Sequence, residues 1–132
     1  MDRLLNRLTH ARAMILIAAG VLLVALPAAA ADAAHGKSVF ASQCAMCHSS
    51  NRNGPTILGP PLFGVVGRKA GTNAGFAYSP GMKAAGFAWS DERLHAYLPA
   101  PRAMVPGTKM TYGGLKNPAQ LDDLVAYLDS LK

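Results

Sequence analysis

Both cysteines of this 132-residue chain fall within five residues, Cys44-Ala45-Met46-Cys47-His48. The spacing C-x-x-C-H suits covalent attachment of a c-type haem. On a helix, Cys44 lies one turn from both Cys47 and His48, so two thiols and an imidazole project to one side. The thiols can then form thioethers with the porphyrin's vinyl groups while the imidazole ligates iron from below. Competing chemistries fit less well. A thioredoxin-type redox pair needs a βαβ context, and the pattern shows none. Zinc needs two further ligands, and beyond the N-terminal segment only His35 and His95 are left to supply them. A disulfide across so short a loop stabilises little.

A second axial ligand on the opposite face decides what such a haem does. The candidates are Met46, Met82, Met104, Met110 and His95. Met46 belongs to the attachment motif and sits on the side of His48. Met82 and Met104 read as packing residues, since methionine commonly fills gaps, and His95 as a packed or surface side chain of a helix. Met110 follows Pro106-Gly107-Thr108-Lys109, a turn-rich loop free to present a thioether to the far face. His/Met ligation raises the reduction potential and favours electron carriage over oxygen activation.

The elements that must hold these groups come from a chain of two distinct parts. Residues 1–31 contain 22 of the hydrophobic set. Arg3, Arg7 and Arg12 precede an apolar run from Ala13 to Leu26, and Pro27 and a string of alanines follow, the three-part pattern of a secretory signal. The run is 14 residues, short of the ~20 a membrane span needs. Counted through the alanines it lengthens, so an uncleaved anchor is the competing reading. Cleavage is expected after Ala30 or Ala31. Export agrees with the haem motif, because loading outside the cytoplasm needs reduced thiols. Residues 32–132 then carry 10 Lys and Arg against 6 Asp and Glu, net +4 in place of +6. That modest excess can steer an acidic partner surface, and no basic run is long enough to suggest nucleic acid.

Residues 32–132 predict an all-α domain of 3–5 helices with long loops. One helical stretch holds Val39 and Phe40 and runs through His48 with no Gly or Pro after Gly36. Another begins at Asn117, with Pro118 at its first position and Gln120 completing a capping box, and places Leu121, Leu124, Val125, Leu128 and Leu131 at helical spacing. A shorter helix is capped by Ser90, has Asp91 and Glu92 in its first turn, and stops at Pro99. A further turn runs from Ser79-Pro80 to about Gly86. Residues 49–78 and 99–114 read as loop. So much loop argues against a small domain unless it wraps a large apolar object. A covalently held haem supplies that missing interior.

With its motifs in order, this part of the chain resembles class I c-type cytochromes, the mitochondrial-like branch that includes bacterial cytochromes c2 and c550. The resemblance covers Gly36 to Leu131. It is carried by Gly36-Lys37-x-x-Phe40, Cys44-x-x-Cys47-His48, Gly59-Pro60-x-Leu62-x-Gly64, Gly67-Arg68, Gly75-Phe76-x-Tyr78, Trp89, Tyr97-Leu98, Pro106-Gly107-Thr108-Lys109-Met110 and Leu124-x-x-Tyr127-Leu128.

The resemblance implies a periplasmic monohaem carrier, with haem c bound through Cys44 and Cys47 and iron held by His48 and Met110. It implies that the Pro60 carbonyl accepts a hydrogen bond from His48. Tyr97 and Thr108 would lie on the Met110 side, and Arg68, Tyr78 and Trp89 near the propionates. Gly36, Phe40, Leu124 and Tyr127 would form a close helix crossing. Implied partners are a cytochrome bc1-type donor and a terminal oxidase, photosynthetic centre or other periplasmic acceptor, with no small-molecule substrate and no oligomer. Two departures stand out. Met82 replaces a frequent Asn, and Gln43 and Ala103 replace lysines of the docking ring, leaving Lys69, Arg102, Lys109 and Lys116, with Tyr112 covering the haem edge. A small haem peroxidase would need an open sixth site and a distal acid–base group. A gas-binding sensor of the c-prime kind would carry its motif near the C-terminus.

Overall fold

The structure, a computed structural model, describes residues 29–132. The apolar run at 13–26 and its flanking arginines lie outside the described residues. Five helices follow in order: α1 (Ala33–Gln43), α2 (Pro80–Lys83), α3 (Asp91–Tyr97), α4 (Pro101–Met104) and α5 (Pro118–Ser130). Among the described residues there is no strand, only an isolated antiparallel bridge between Lys69 and Ala88. The all-α architecture matches the expectation.

Local chemistry explains most helix starts. The Asp32 carboxylate accepts from the Ala34 and His35 N–H groups, Ser79 from Met82, Ser90 from Arg93 and Asn117 from Gln120. Each side chain thereby satisfies donors that a first turn leaves unpaired. Proline occupies the first position of α2, α4 and α5, where its missing N–H costs nothing.

Two expectations are corrected. The first helix does not run through His48. It closes after Gln43, where the Cys44 and Ala45 N–H groups both donate to the Phe40 carbonyl at 2.8 and 2.9 Å. That double closure turns the chain, and the attachment motif forms a separate turn in which Cys47 and His48 both donate to the Cys44 carbonyl at 3.0 and 2.9 Å. Residues 99–114 are not all loop. Pro101 nucleates α4, one turn ending at Met104, and is itself fully buried.

The core sits where α1 crosses α5. A Cβ on Gly36 would fall 1.9 Å from the Asp123 carbonyl oxygen, so only glycine permits this approach. The crossing stacks Phe40 against Tyr127 at 5.5 Å and buries Val39, Leu124, Val125 and Leu128. Around this crossing the loops form a cage tied by backbone bonds. Gly59 N–H donates to Cys47, Leu62 to Ser49, Gly64 to Leu131, Gly67 to Trp89 and Leu115 to Leu98. Gly71 turns one wall with φ +73°, where a side chain would strain the backbone and meet the Met82 carbonyl at 2.8 Å.

Candidate haem and metal site

The cage encloses a cavity of about 380 Å³, within the ~300–1,000 Å³ usual for cofactor sites. On one side lies the attachment turn with Cys44, Cys47 and His48. His48 Nδ1 is 2.7 Å from the Pro60 carbonyl oxygen, which can only accept, so Nδ1 carries the proton and Nε2 keeps its lone pair. Gly59 makes this contact possible, because its Cβ would stand 2.4 Å from His48 Cε1. Burial lowers the His48 pKa, the Pro60 bond partly opposes that, and the Arg68 charge lowers it further. A neutral imidazole is the ligand form. Burial, then the neighbouring Cys47, pushes the Cys44 thiol up to about 11. A redox-active C-x-x-C pair relies on the reverse shift.

Met110 lines the cavity from the loop after α4. Its sulfur accepts from the Tyr97 hydroxyl at 3.4 Å, and its N–H donates to the Thr108 hydroxyl at 3.3 Å. Burial raises the Tyr97 phenol, and the Thr108 hydroxyl partly offsets this. Tyr97 packs edge-to-face on Trp89 at 4.8 Å, and Trp89 on Phe87 at 5.0 Å. Such aromatic pairs hold their members in fixed orientation. Arg68 donates to the Pro61 and Phe63 carbonyls at 3.0 and 3.4 Å, and Tyr78 stacks edge-on with Phe76 at 4.8 Å.

All ten residues expected at a haem line this one cavity. Of the alternative ligands, Met104 and His95 do not. His95 faces the other way, with Nδ1 2.7 Å from the Asp91 carbonyl and Nε2 3.0 Å from Asp122. Met46 lies on the rim, 81% exposed, and Met82 is buried in the wall. Sequence reasoning missed Leu62, Val65, Leu94, Ser79 and Thr111 as lining residues. The Ser79-Pro80 helix start was readable, but not that the buried serine faces the cavity.

The residues fit a haem. Two thiols and an imidazole share one side, a thioether that accepts from the Tyr97 hydroxyl borders the same space, and the walls are mostly apolar. The Arg68 guanidinium and the Tyr78 phenol line the same cavity and would be donors for the carboxylates of a haem. Among the described residues no group of three or more His, Cys, Asp or Glu could hold a separate metal ion, so zinc finds no donor set.

Two of the four cations named for a docking ring are occupied. Lys109 donates to the Ala77 carbonyl and lies 6.0 Å from the Phe76 ring centre, and Lys116 donates to the Pro99 carbonyl. Lys69, Arg102, Lys109 and Lys116 are all exposed.

Comparison with known proteins places this geometry. The family model for cytochrome c matches residues 33–132. Cytochrome c2 of Blastochloris viridis is 45% identical over 102 residues, covering 77% of this chain and 80% of that protein. Cytochrome c of Chlamydomonas reinhardtii is 45% identical over 101 residues, 76% of this chain and 90% of the relative. For cytochrome c of Gibberella zeae the figures are 42% over 105 residues, 79% and 99%. With that match over nearly all the described residues and a C-x-x-C-H turn lining its cavity, the chain belongs to the cytochrome c family, electron carriers built around a covalently attached haem c.

Proposed function

We propose that this protein is an exported, periplasmic carrier of single electrons whose one haem iron is held by His48 and Met110. The observation that carries the ligand assignment is the pair of restraints across the cavity. The Pro60 carbonyl orients His48, the Tyr97 hydroxyl donates to the Met110 thioether, and the Thr108 hydroxyl accepts from the Met110 backbone N–H. When bound, the haem supplies an Fe(III)/Fe(II) couple.

The chain's own contribution is rigidity and dryness. Nδ1–H of His48 stays on Pro60, which strengthens the imidazole as a donor. The Met110 sulfur has a second lone pair left for the Tyr97 hydroxyl. Trp89, Leu94 and Leu98 keep water out, so little has to rearrange when charge changes. Arg68 brings positive charge to a buried wall, where carboxylates would otherwise be costly to desolvate.

The N-terminal charge and hydropathy pattern supports export, with retention as an anchor the alternative. No helix of the described residues is long and apolar enough to cross a membrane. A cytochrome bc1-type complex as donor, and a terminal oxidase, photosynthetic centre or other periplasmic enzyme as acceptor, suit a transient docking carrier. Lys69, Arg102, Lys109 and Lys116 are all exposed and charged, so the association rate should fall with ionic strength.

An optical spectrum with a redox titration tests the reading. Expected are a low-spin, thioether-linked haem with an iron–thioether charge-transfer band in the oxidised form, and no carbon monoxide binding by the reduced protein. Met110→Ala should abolish the band and Met104→Ala should keep it. A band that persists in Met110→Ala overturns the ligand assignment, and avid carbon monoxide binding by the parent protein overturns the carrier reading.

A further inference from the structure

The junction between the two parts of the chain carries an inference about the finished protein. Ala29 to Asp32 are exposed and non-helical, so the peptide bonds before α1 are open to a peptidase. Small residues occur at the required places for cuts after either Ala30 or Ala31. The tertiary structure separates the two. The backbone nitrogen of Asp32 lies 2.6 Å from Asp123 Oδ1, and the other Asp123 oxygen lies 2.6 Å from His35 Nδ1. The Asp123 side chain is only 14% exposed, and its own carbonyl is the group packed against Gly36. This carboxylate therefore sits at the mouth of the α1–α5 crossing.

We propose that the exported protein begins at Asp32, and that its α-ammonium pairs with the Asp123 carboxylate to lock the start of α1 onto α5. The proposal rests on the export reading above. Hydrolysis of the Ala31–Asp32 bond by a signal peptidase adds water across it. The carbonyl of Ala31 leaves as a carboxylate, and the nitrogen of Asp32 becomes an ammonium at the place where it already donates to Asp123. A hydrogen bond from a neutral amide to a carboxylate thereby becomes an ion pair between two opposite charges. A cut one residue earlier would leave Asp32 N an amide and put the new charge elsewhere.

An ammonium at a helix N-terminus opposes the macrodipole. Here two carboxylates offset it. Asp32's own is held by the Ala34 and His35 N–H groups, and Asp123 receives the amine. Cutting thus sets one positive charge between two negative ones.

The test uses the haem-loaded protein recovered after export. Intact mass and N-terminal sequencing should give Asp32 as the first residue. Full-length haem-loaded protein means retention as an anchor and overturns the cut and the Asp32 terminus together, whereas a cut at another bond overturns only the Asp32 terminus. The pair is tested on two holoproteins, one starting at Asp32 and one carrying Ala31 ahead of it, each with and without Asp123→Asn. At low salt, the substitution should lower the folding equilibrium constant about 2- to 5-fold more in the Asp32-start protein, and high salt should shrink that excess. Acetylating the Asp32 α-amine turns it back into an amide and should remove that excess without touching Asp123. Equal losses in both proteins, or no effect of acetylation, overturn the pair while leaving the cut.

Discussion

Gly59→Ala offers a direct test of how the attachment side is held. Gly59 has no positive φ, so alanine adds no backbone strain and the change isolates one contact. The new Cβ would lie 2.4 Å from His48 Cε1 and 2.8 Å from Nδ1, and ordinary contact begins at 3.4 Å, so something recedes by about 1 Å. If the imidazole recedes, its 2.7 Å bond to Pro60 stretches past hydrogen-bonding range. If the loop recedes, the 2.8 Å bond from Gly59 N–H to the Cys47 carbonyl is lost in its place. Either way a buried bond goes, at about 1–3 kcal/mol, on top of overpacking at about 1–3 kcal/mol.

A net destabilisation of about 2–6 kcal/mol follows, lowering Tm by roughly 8–48 °C in a domain this size. The potential tells which side yielded. Losing the Pro60 bond weakens the imidazole as a donor and shifts the potential upward, while a displaced loop leaves it unchanged. Thermal and denaturant unfolding of the haem-loaded protein, with redox titration, gives both readouts. Gly113→Ala is the control, since its Cβ meets nothing within 4 Å, and it should be neutral or slightly stabilising. Gly59→Ala within about 0.5 kcal/mol of the parent, the spread of neutral surface changes, would refute the packing argument.

Other perturbations probe the remaining contacts. Gly36→Ala should destabilise, because a Cβ 1.9 Å from the Asp123 carbonyl forces α1 and α5 apart; overpacking at about 1–3 kcal/mol or more outweighs the roughly 1 kcal/mol alanine gains in a helix, and a raised Tm would contradict this. Tyr97→Phe removes the donor 3.4 Å from the Met110 sulfur, so the iron–thioether band should be lost at lower denaturant, by about 0.5–1.5 kcal/mol, with an unchanged midpoint counting against the restraint. Asp123 has its folded pKa lowered, first by the Asp32 N–H and then by the His35 side chain. Its contribution is therefore complete above the ordinary carboxylate pKa and disappears as pH falls through the lower folded value. Asp123→Asn should be less stable than the parent at neutral pH and converge with it in strong acid; a gap that widens on acidification would reverse the sign.

Much of the architecture was legible because it is local. Ser79, Ser90 and Asn117 each precede a helix and cap it, since a short polar side chain can reach donors two or three residues ahead without help from the rest of the fold; the Asp32 cap of α1 went unread. The attachment chemistry was legible for the same reason, as three groups within five residues stay together in a helix or in the turn that replaces it. The long loops carried their own message, a core too small for its chain, and the cavity lies inside them.

Tertiary structure decided what depends on distant partners. Where α1 stops is set by the turn that carries Cys44 toward the cavity, not by propensity. Met104 and Met110 are both methionines near prolines, and only the packing of the loop beside Tyr97 brings one to the cavity wall and leaves the other outside. Lys109 and Lys116 count as surface charge by composition, yet each closes on a carbonyl at least 17 residues away in sequence. The convergence of ten residues from 44 to 110 on one cavity is likewise a matter of closing loops. Sequence alone determined the covalent chemistry and the starts of α2, α3 and α5, because those are interactions between neighbours along the chain. The fold decided which thioether, which cations and which carboxylate face one another, because their energies exist only once separate segments have met.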